Sequence, residues 1–161
     1  MAVADTFAGR EAPVRSYQPW TESGCAPPLT LAPDGKPWPA QARQLQQKEK
    51  KKGHSSLRLD NSKNQQDIYV KVSRVADKQS KNFARSAFIP AGQQLKLLEM
   101  AVGEYVVKLM DIKNGCVQVS RPMRLNERRT EKQIEFSDAS LTFYNVVNGN
   151  TELNKLSAAN F

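Results

Sequence analysis

The sequence has few of the residues that build metal centres and acid–base active sites. Its 161 residues include one histidine, His54, and two cysteines that lie far apart, Cys25 and Cys116. A structural zinc site needs four nitrogen or sulfur ligands, so no metal is predicted. His54 lies in a polar linker, which disfavours a Ser-His-Asp or Cys-His arrangement. We therefore expect no enzymatic activity, no catalytic residues, no metal and no cofactor.

Other functional signals are also missing. No GxxxxGK or GxGxxG string occurs, so no phosphate-binding loop is predicted. No apolar run approaches the roughly 18 residues of a membrane-spanning helix. Residues 1–10 lack the basic-then-apolar pattern of a secretory signal. We expect either a cytoplasmic protein, if the chain is complete, or a piece whose targeting segment lies elsewhere.

Proline is concentrated near the start of the chain, where seven of the nine prolines lie between residues 13 and 39. Because proline fixes φ and removes a backbone donor, residues 1–38 are predicted to be irregular. Residues 39–52 could form a short solvated helix that ends before Gly53. Trp20 and Trp38 favour an extended strap over a mobile linker, since disordered segments are usually poor in aromatics. Residues 1–53 are therefore interpreted as a basic, proline-rich leader.

From residue 54 onward, apolar residues recur at every second position, which is the pattern of half-buried strands. Asn114-Gly115 and Asn148-Gly149 are hairpin signals. Seven to nine short strands without a convincing helix predict that residues 54–161 form one all-β domain. The expected fold is an antiparallel β-sandwich, Ig-like or transthyretin-like, with a small barrel as the alternative.

The faces opposite the predicted core carry further apolar side chains, at Tyr69, Tyr144 and Val146. These residues could bind a partner or lie beneath a second layer of the domain. Burial beneath a second layer is the preferred interpretation.

The chain is basic, with 24 Lys and Arg against 16 Asp and Glu and a net charge of +8. Two runs stand out, the first at Lys48, Lys50, Lys51 and Lys52 and the second at Arg121, Arg124, Arg128, Arg129 and Lys132. Such runs can neutralise phosphates, but no stacking aromatics are interleaved with them. Solvated charge is therefore preferred over a nucleic-acid site, and the first run would also suit a position beside anionic headgroups.

Cys25 lies in the leader and Cys116 in the predicted domain. A disulfide between them is possible in an oxidising compartment, and two free thiols are equally compatible with the cytosol. A bridge would place the protein outside the cytoplasm and pin the leader to the domain.

Five blocks of sequence, in order, resemble a sandwich-like module of uncharacterised, membrane-tethered bacterial proteins. They lie at residues 32–39, 59–72, 88–92, 102–105 and 141–150. The Val-Gly-Glu-Tyr block at 102–105 is also similar to the glycine-then-tyrosine turn of peptidase-associated regulatory sandwiches, which are non-catalytic. The resemblance implies a periplasmic or other extracytoplasmic, membrane-associated placement and supplies no site. Membrane association would be indirect or through a segment absent from this chain.

Taken together, these features predict a structural or adaptor subunit of a larger bacterial assembly, whose strap contacts a neighbour. The partners would be other protein subunits or further copies of this chain. The candidate contact residues are Trp20, Trp38, Lys50, Lys51, Lys52, Arg128 and Arg129. The rival hypotheses are an electrostatic binder of nucleic acid or another anionic polymer, and a sandwich that binds a small ligand or glycan.

Overall fold

A computed structural model describes residues 24–77, 82–144 and 153–161. These residues form twelve strands and a short 3-10 turn, Ala158–Asn160, and the all-β prediction is confirmed. No helix within these ranges combines the length and apolar character that crossing a membrane requires. The strands are β1 (Arg43–Gln47), β2 (Ser55–Lys63), β3 (Ile68–Arg74), β4 (Arg85–Ile89), β5 (Gln94–Met100), β6 (Gly103–Asp111), β7 (Val117–Ser120), β8 (Met123–Leu125), β9 (Glu127–Arg129), β10 (Ile134–Phe136), β11 (Asp138–Tyr144) and β12 (Leu153–Leu156).

The strands form two main sheets and a hairpin. The large sheet has the order β1-β4-β3-β6-β7-β12, with β8 also paired to β6, and all its pairs are antiparallel. The small sheet has the order β11-β2-β5, in which β2 pairs with β5 antiparallel and with β11 parallel. β9 and β10 pair only with each other. The twelve strands exceed the predicted seven to nine, because three of them are only three residues long and one lies in the leader.

The main core is built from the alternating side chains of both sheets. Leu57 and Leu59 of β2 pack in one cluster with Val70 and Val72 of β3 and with Val107 of β6. All five are at most 1% exposed. The period-two pattern therefore identified the inward faces of these strands correctly.

The short helix predicted over residues 39–52 is wrong, because Arg43–Gln47 is the edge strand β1. It pairs antiparallel with β4, from Arg43 opposite Phe88 to Gln47 opposite Arg85. A helix here would have almost no apolar face to bury, and packing rather than propensity stabilises most short helices. Pairing with β4 satisfies the backbone and lets Leu45 pack against the apolar outer face of the large sheet.

That outer face carries a second apolar cluster, built around Tyr69, Phe88, Met110 and Val117. The residues that cover it come from the leader and from the end of the chain, and they are Ala26, Leu29, Trp38, Leu156, Ala158 and Phe161. Tyr69 is 8% exposed, so its predicted burial beneath a second layer is confirmed. Tyr144 is instead exposed, and Val146 and Asn148-Gly149 lie outside the described residues.

Candidate partner-binding surface

The strap, residues 24–38 of the leader, is anchored to the loop between β6 and β7. Cys25 and Cys116 form a disulfide that joins positions 91 residues apart. Beside it, the Ala26 N–H donates to the Gly115 carbonyl at 2.8 Å. Gly115 has a φ of +69°, and a Cβ there would collide with the Ala26 backbone. Glycine is therefore required for the strap to approach this closely.

At the other end of the strap, Trp38 packs against the large sheet of the same chain. Its ring stacks on Phe88 with the centroids 5.0 Å apart and lies 5.5 Å from the ring of Tyr69. Its indole N–H donates to the Leu29 carbonyl at 3.1 Å. Trp38 thus contributes to the second cluster, whereas Trp20 lies outside the described residues.

A buried ion network centres on Glu49, two residues after the end of β1. Its carboxylate lies 3.1 Å from Nε of Arg85 and 3.3 Å from Nη2 of Arg74. The Tyr105 hydroxyl lies 3.3 Å from the same carboxylate and donates to the Ala101 carbonyl at 2.8 Å. Burial, together with the nearby charge of Glu49, raises the pKa of Tyr105 to about 12, so this hydroxyl stays protonated at neutral pH. The network ties the end of the leader to the sandwich.

β5 contains a bulge at Leu98 and Glu99. Ser55 pairs with Met100 and Leu57 with Leu97, so two residues of β5 face one residue of β2. Glu99 has a φ of +56°, which is uncommon for a residue other than glycine. Its carbonyl accepts a hydrogen bond from Nη2 of the buried Arg85 at 3.1 Å. The bulge leaves Leu98 58% exposed at the sheet edge, and re-aiming a side chain is a common role of bulges.

The β9–β10 hairpin is joined to the start of β2 through His54. The backbone N–H and the ring Nδ1 of His54 lie 3.1 and 2.9 Å from Oε1 of Glu127. The hydrogen bond with the His54 ring is the main cause that lowers the pKa of Glu127. Phe136, which is paired with Glu127, has its ring 6.3 Å from that of His54 and is 54% exposed.

Each basic run contributes one residue near the contact between His54 and Glu127, Lys52 from the first and Arg129 from the second. Lys50, Lys51 and Lys52 are exposed, and Lys52 Nζ lies 3.8 Å from the carboxylate of Glu99 on β5. Arg129 is exposed on β9 and contributes to the lowered pKa of Glu127.

Arg128 is also exposed, but it is opposite Glu135 and lies 3.7 Å from that carboxylate. Alternation places Arg128 on the other side of the hairpin from Arg129 and Phe136. The segment from Lys52 to His54 connects the bulge of β5, through Glu99, to the hairpin, through Glu127. We give the name hairpin face to the residues Lys52, His54, Leu98, Arg129 and Phe136.

Only part of this surface could be found from sequence. Lys52 and Arg129 stood out as members of basic runs. Leu98 and Phe136 carried no such signal, and His54 was interpreted only as a residue of a polar linker. Leu98 is exposed because of a bulge, and His54 and Glu127 are 73 residues apart. Arg85 is a charged residue at the start of a strand that continues into Ala87, Phe88 and Ile89, and this was an available signal for the buried network.

The described residues contain no group of three or more His, Cys, Asp or Glu placed to hold a metal ion. Comparison of the chain with protein-family models, with curated proteins and with solved structures finds no match.

Proposed function

We propose that this chain is a non-enzymatic adaptor subunit of a larger, membrane-associated bacterial assembly, and that a neighbouring subunit binds the hairpin face. The observation that carries the proposal is the exposure of Leu98 and Phe136 beside basic groups. Large apolar side chains rimmed by polar residues are typical of protein interaction sites. Phe136 offers the kind of aromatic anchor that dominates binding energy at interfaces.

The charge of this surface favours an acidic segment as the partner. Arg129 is exposed on it, and Lys50 and Lys51, which precede Lys52 in the chain, are exposed as well, whereas Glu99 and Glu127 already contact Lys52 and His54. An excess of positive charge steers an acidic partner and fixes its orientation. We therefore expect a neighbour that presents carboxylates around one apolar side chain.

The placement outside the cytoplasm is supported by the disulfide between Cys25 and Cys116, because such bonds persist in oxidising compartments. The membrane association rests on the resemblance of the sequence blocks to membrane-tethered modules. Trp38 packs against the large sheet of its own domain. We therefore expect a neighbouring subunit to contact the hairpin face and not residues 24–38.

The proposal is tested by purifying the tagged full chain with its native partners, as the wild type and as the Phe136→Ser variant. Tyr144→Ser is a matched control because Tyr144 is similarly exposed, at 48%, on β11. Loss of a binding hot spot costs about 2 kcal/mol or more, so we expect at least a tenfold lower recovery of the neighbour for Phe136→Ser. Equal recovery with both variants would contradict the proposal.

Binding of an anionic polymer is less well supported by the hairpin. Its basic residues Arg128, Arg129 and Lys132 are matched by Glu127, Glu131 and Glu135 on the same short ribbon. Partner recovery that survives nuclease treatment and falls only mildly with salt is expected for the adaptor. Recovery that is abolished by nuclease and falls steeply with salt would favour the polymer.

A further inference from the structure

β10 and β11 lie one after the other along a single open edge. β10 pairs with β9, β11 pairs with β2, and only Ser137 separates the two strands. The Ser137 N–H donates to the Asn126 carbonyl at 3.1 Å, and the Ser137 carbonyl accepts from the Ser56 N–H at 3.0 Å. Since the N–H and the carbonyl of a strand residue point to the same side, β9 and β2 flank the same side of residues 134–140. Within the described ranges, no strand pairs with the opposite side.

The hydrogen-bond pattern of the hairpin shows which backbone groups of β10 point to the open side. At the turn, the Thr130 N–H donates to the Gln133 carbonyl at 2.8 Å. Bonded and non-bonded pairs alternate along an antiparallel ladder. Gln133 and Glu135 therefore bond toward β9, whereas Ile134 and Phe136 direct their N–H and carbonyl groups away from it.

The pairing with β2 gives the same result for the start of β11. The Ser137 carbonyl is bonded to β2, and successive residues of a strand direct their backbone groups to alternate sides. Ala139 is therefore turned toward β2, and the two residues beside it are turned to the open side. Backbone groups that no other described residue pairs thus form one row, which comprises Ile134, Phe136, Asp138 and Ser140.

The other outer strands of the two main sheets carry features that hinder pairing with another chain. β1 and β5 each contain a register shift. β12 is only four residues long and includes the exposed Lys155. Bulges, short strands and lysines are the usual protection of a sheet edge. Residues 134–140 contain no lysine, proline or glycine, and the register of β11 with β2 is regular from Asp138 to Thr142.

The side chains of this edge are compatible with an added strand. Its two acidic groups already have basic partners. Nε of Arg128 lies 3.7 Å from Oε1 of Glu135, and Nζ of Lys96 lies 3.6 Å from Oδ1 of Asp138. The hairpin would gain most from a further strand, because β9 and β10 pair only with each other and a two-stranded ribbon is marginally stable by itself.

We propose that the neighbouring subunit binds by adding an extended segment to residues 134–140 as a further strand. The inference rests on the proposed function and names the way in which the neighbour reaches the hairpin face. Main-chain hydrogen bonds give such a contact its affinity, and an apolar side chain of the segment next to Phe136 gives it specificity. A second copy of this chain fits the edge less well, because residues 134–140 include two acidic residues and no basic one. Like charges opposite each other destabilise a ladder.

Hydrogen–deuterium exchange at single amides tests the added strand, with the full wild-type chain measured alone and in the assembly purified through its tag. We expect the amides of Phe136, Asp138 and Ser140 to exchange at least about tenfold more slowly in the assembly, because each would donate to the backbone of the neighbour. Protection of the Phe136 ring without slower exchange of these amides would overturn the added strand and leave the contact at the hairpin face standing. Absence of both effects would overturn both proposals.

Ser140→Pro tests the edge without changing Phe136. Proline removes the outward N–H of Ser140, and Ser140→Ala is the matched control because it keeps that N–H. Since one main-chain hydrogen bond is lost, we expect recovery of the neighbour to fall at least about fivefold for Ser140→Pro and to stay unchanged for Ser140→Ala. Equal recovery with both variants, each shown by thermal unfolding to be folded, would overturn the proposal. If Ser140→Pro does not fold, the exchange measurement on the wild type decides.

The isolated chain tests the alternative occupant. We expect the exchange of the Phe136, Asp138 and Ser140 amides to be independent of protein concentration. Slower exchange of these amides in a concentrated solution of the isolated chain would assign the edge to a second copy and overturn the proposal.

Discussion

At the level of single residues, Glu49 carries a charge that is almost fully buried. Its side chain is 6% exposed and lies against Arg85, whose side chain is 3% exposed. A buried charge is tolerated only when it is paired and hydrogen-bonded, and removing one partner leaves the other charge uncompensated. The same network also supports the bulge that exposes Leu98, because Arg85 donates to the Glu99 carbonyl.

Glu49→Gln should therefore lower the free energy of unfolding by about 3 to 5 kcal/mol, measured by urea denaturation. Lys52→Gln is the matched control, since the ion pair of Lys52 with Glu99 is exposed on both sides. Exposed pairs contribute only about 0 to 1 kcal/mol, so the control should change little. Similar small losses for both variants would show that the network is not a stabilising element.

Among the elements, the position of the strap and the strand β1 could not be predicted from local sequence patterns. The prolines correctly indicated that residues 24–38 form no regular element, and the pair of tryptophans favoured a strap. Which surface the strap covers depends on contacts with Gly115 and Phe88, which are distant in sequence. β1 was predicted as a helix because local propensity carries no information about the unpaired edge of β4.

The disulfide should be the strongest single constraint on the strap. Replacing Cys25 and Cys116 by serine opens a covalent loop of 91 residues and should lower the free energy of unfolding by about 2 to 4 kcal/mol. Chemical denaturation followed by tryptophan fluorescence measures this change. Adding reductant to the double variant should have no further effect. A wild type that loses no stability on reduction would refute the role of the bridge.

At the scale of the whole molecule, the alternating pattern predicted an all-β sandwich, and the structure has that fold. The proposed binding surface could not be predicted in the same way. The hairpin face depends on the contact between His54 and Glu127 and on the bulge between Ser55 and Leu57 of β2 and Leu97 and Met100 of β5. Both join residues that are distant in sequence. The alternation of apolar residues along one strand does not predict such contacts.

We propose that a neighbouring subunit binds the hairpin face, while the strap stays packed against its own sheet. Residue-level footprinting of the intact assembly, compared with the isolated chain, tests it directly. We expect new protection at Leu98 and Phe136 and unchanged protection at Trp38, which packs on Phe88 in the isolated chain. New protection confined to residues 24–38, with Leu98 and Phe136 equally accessible in both states, would contradict it.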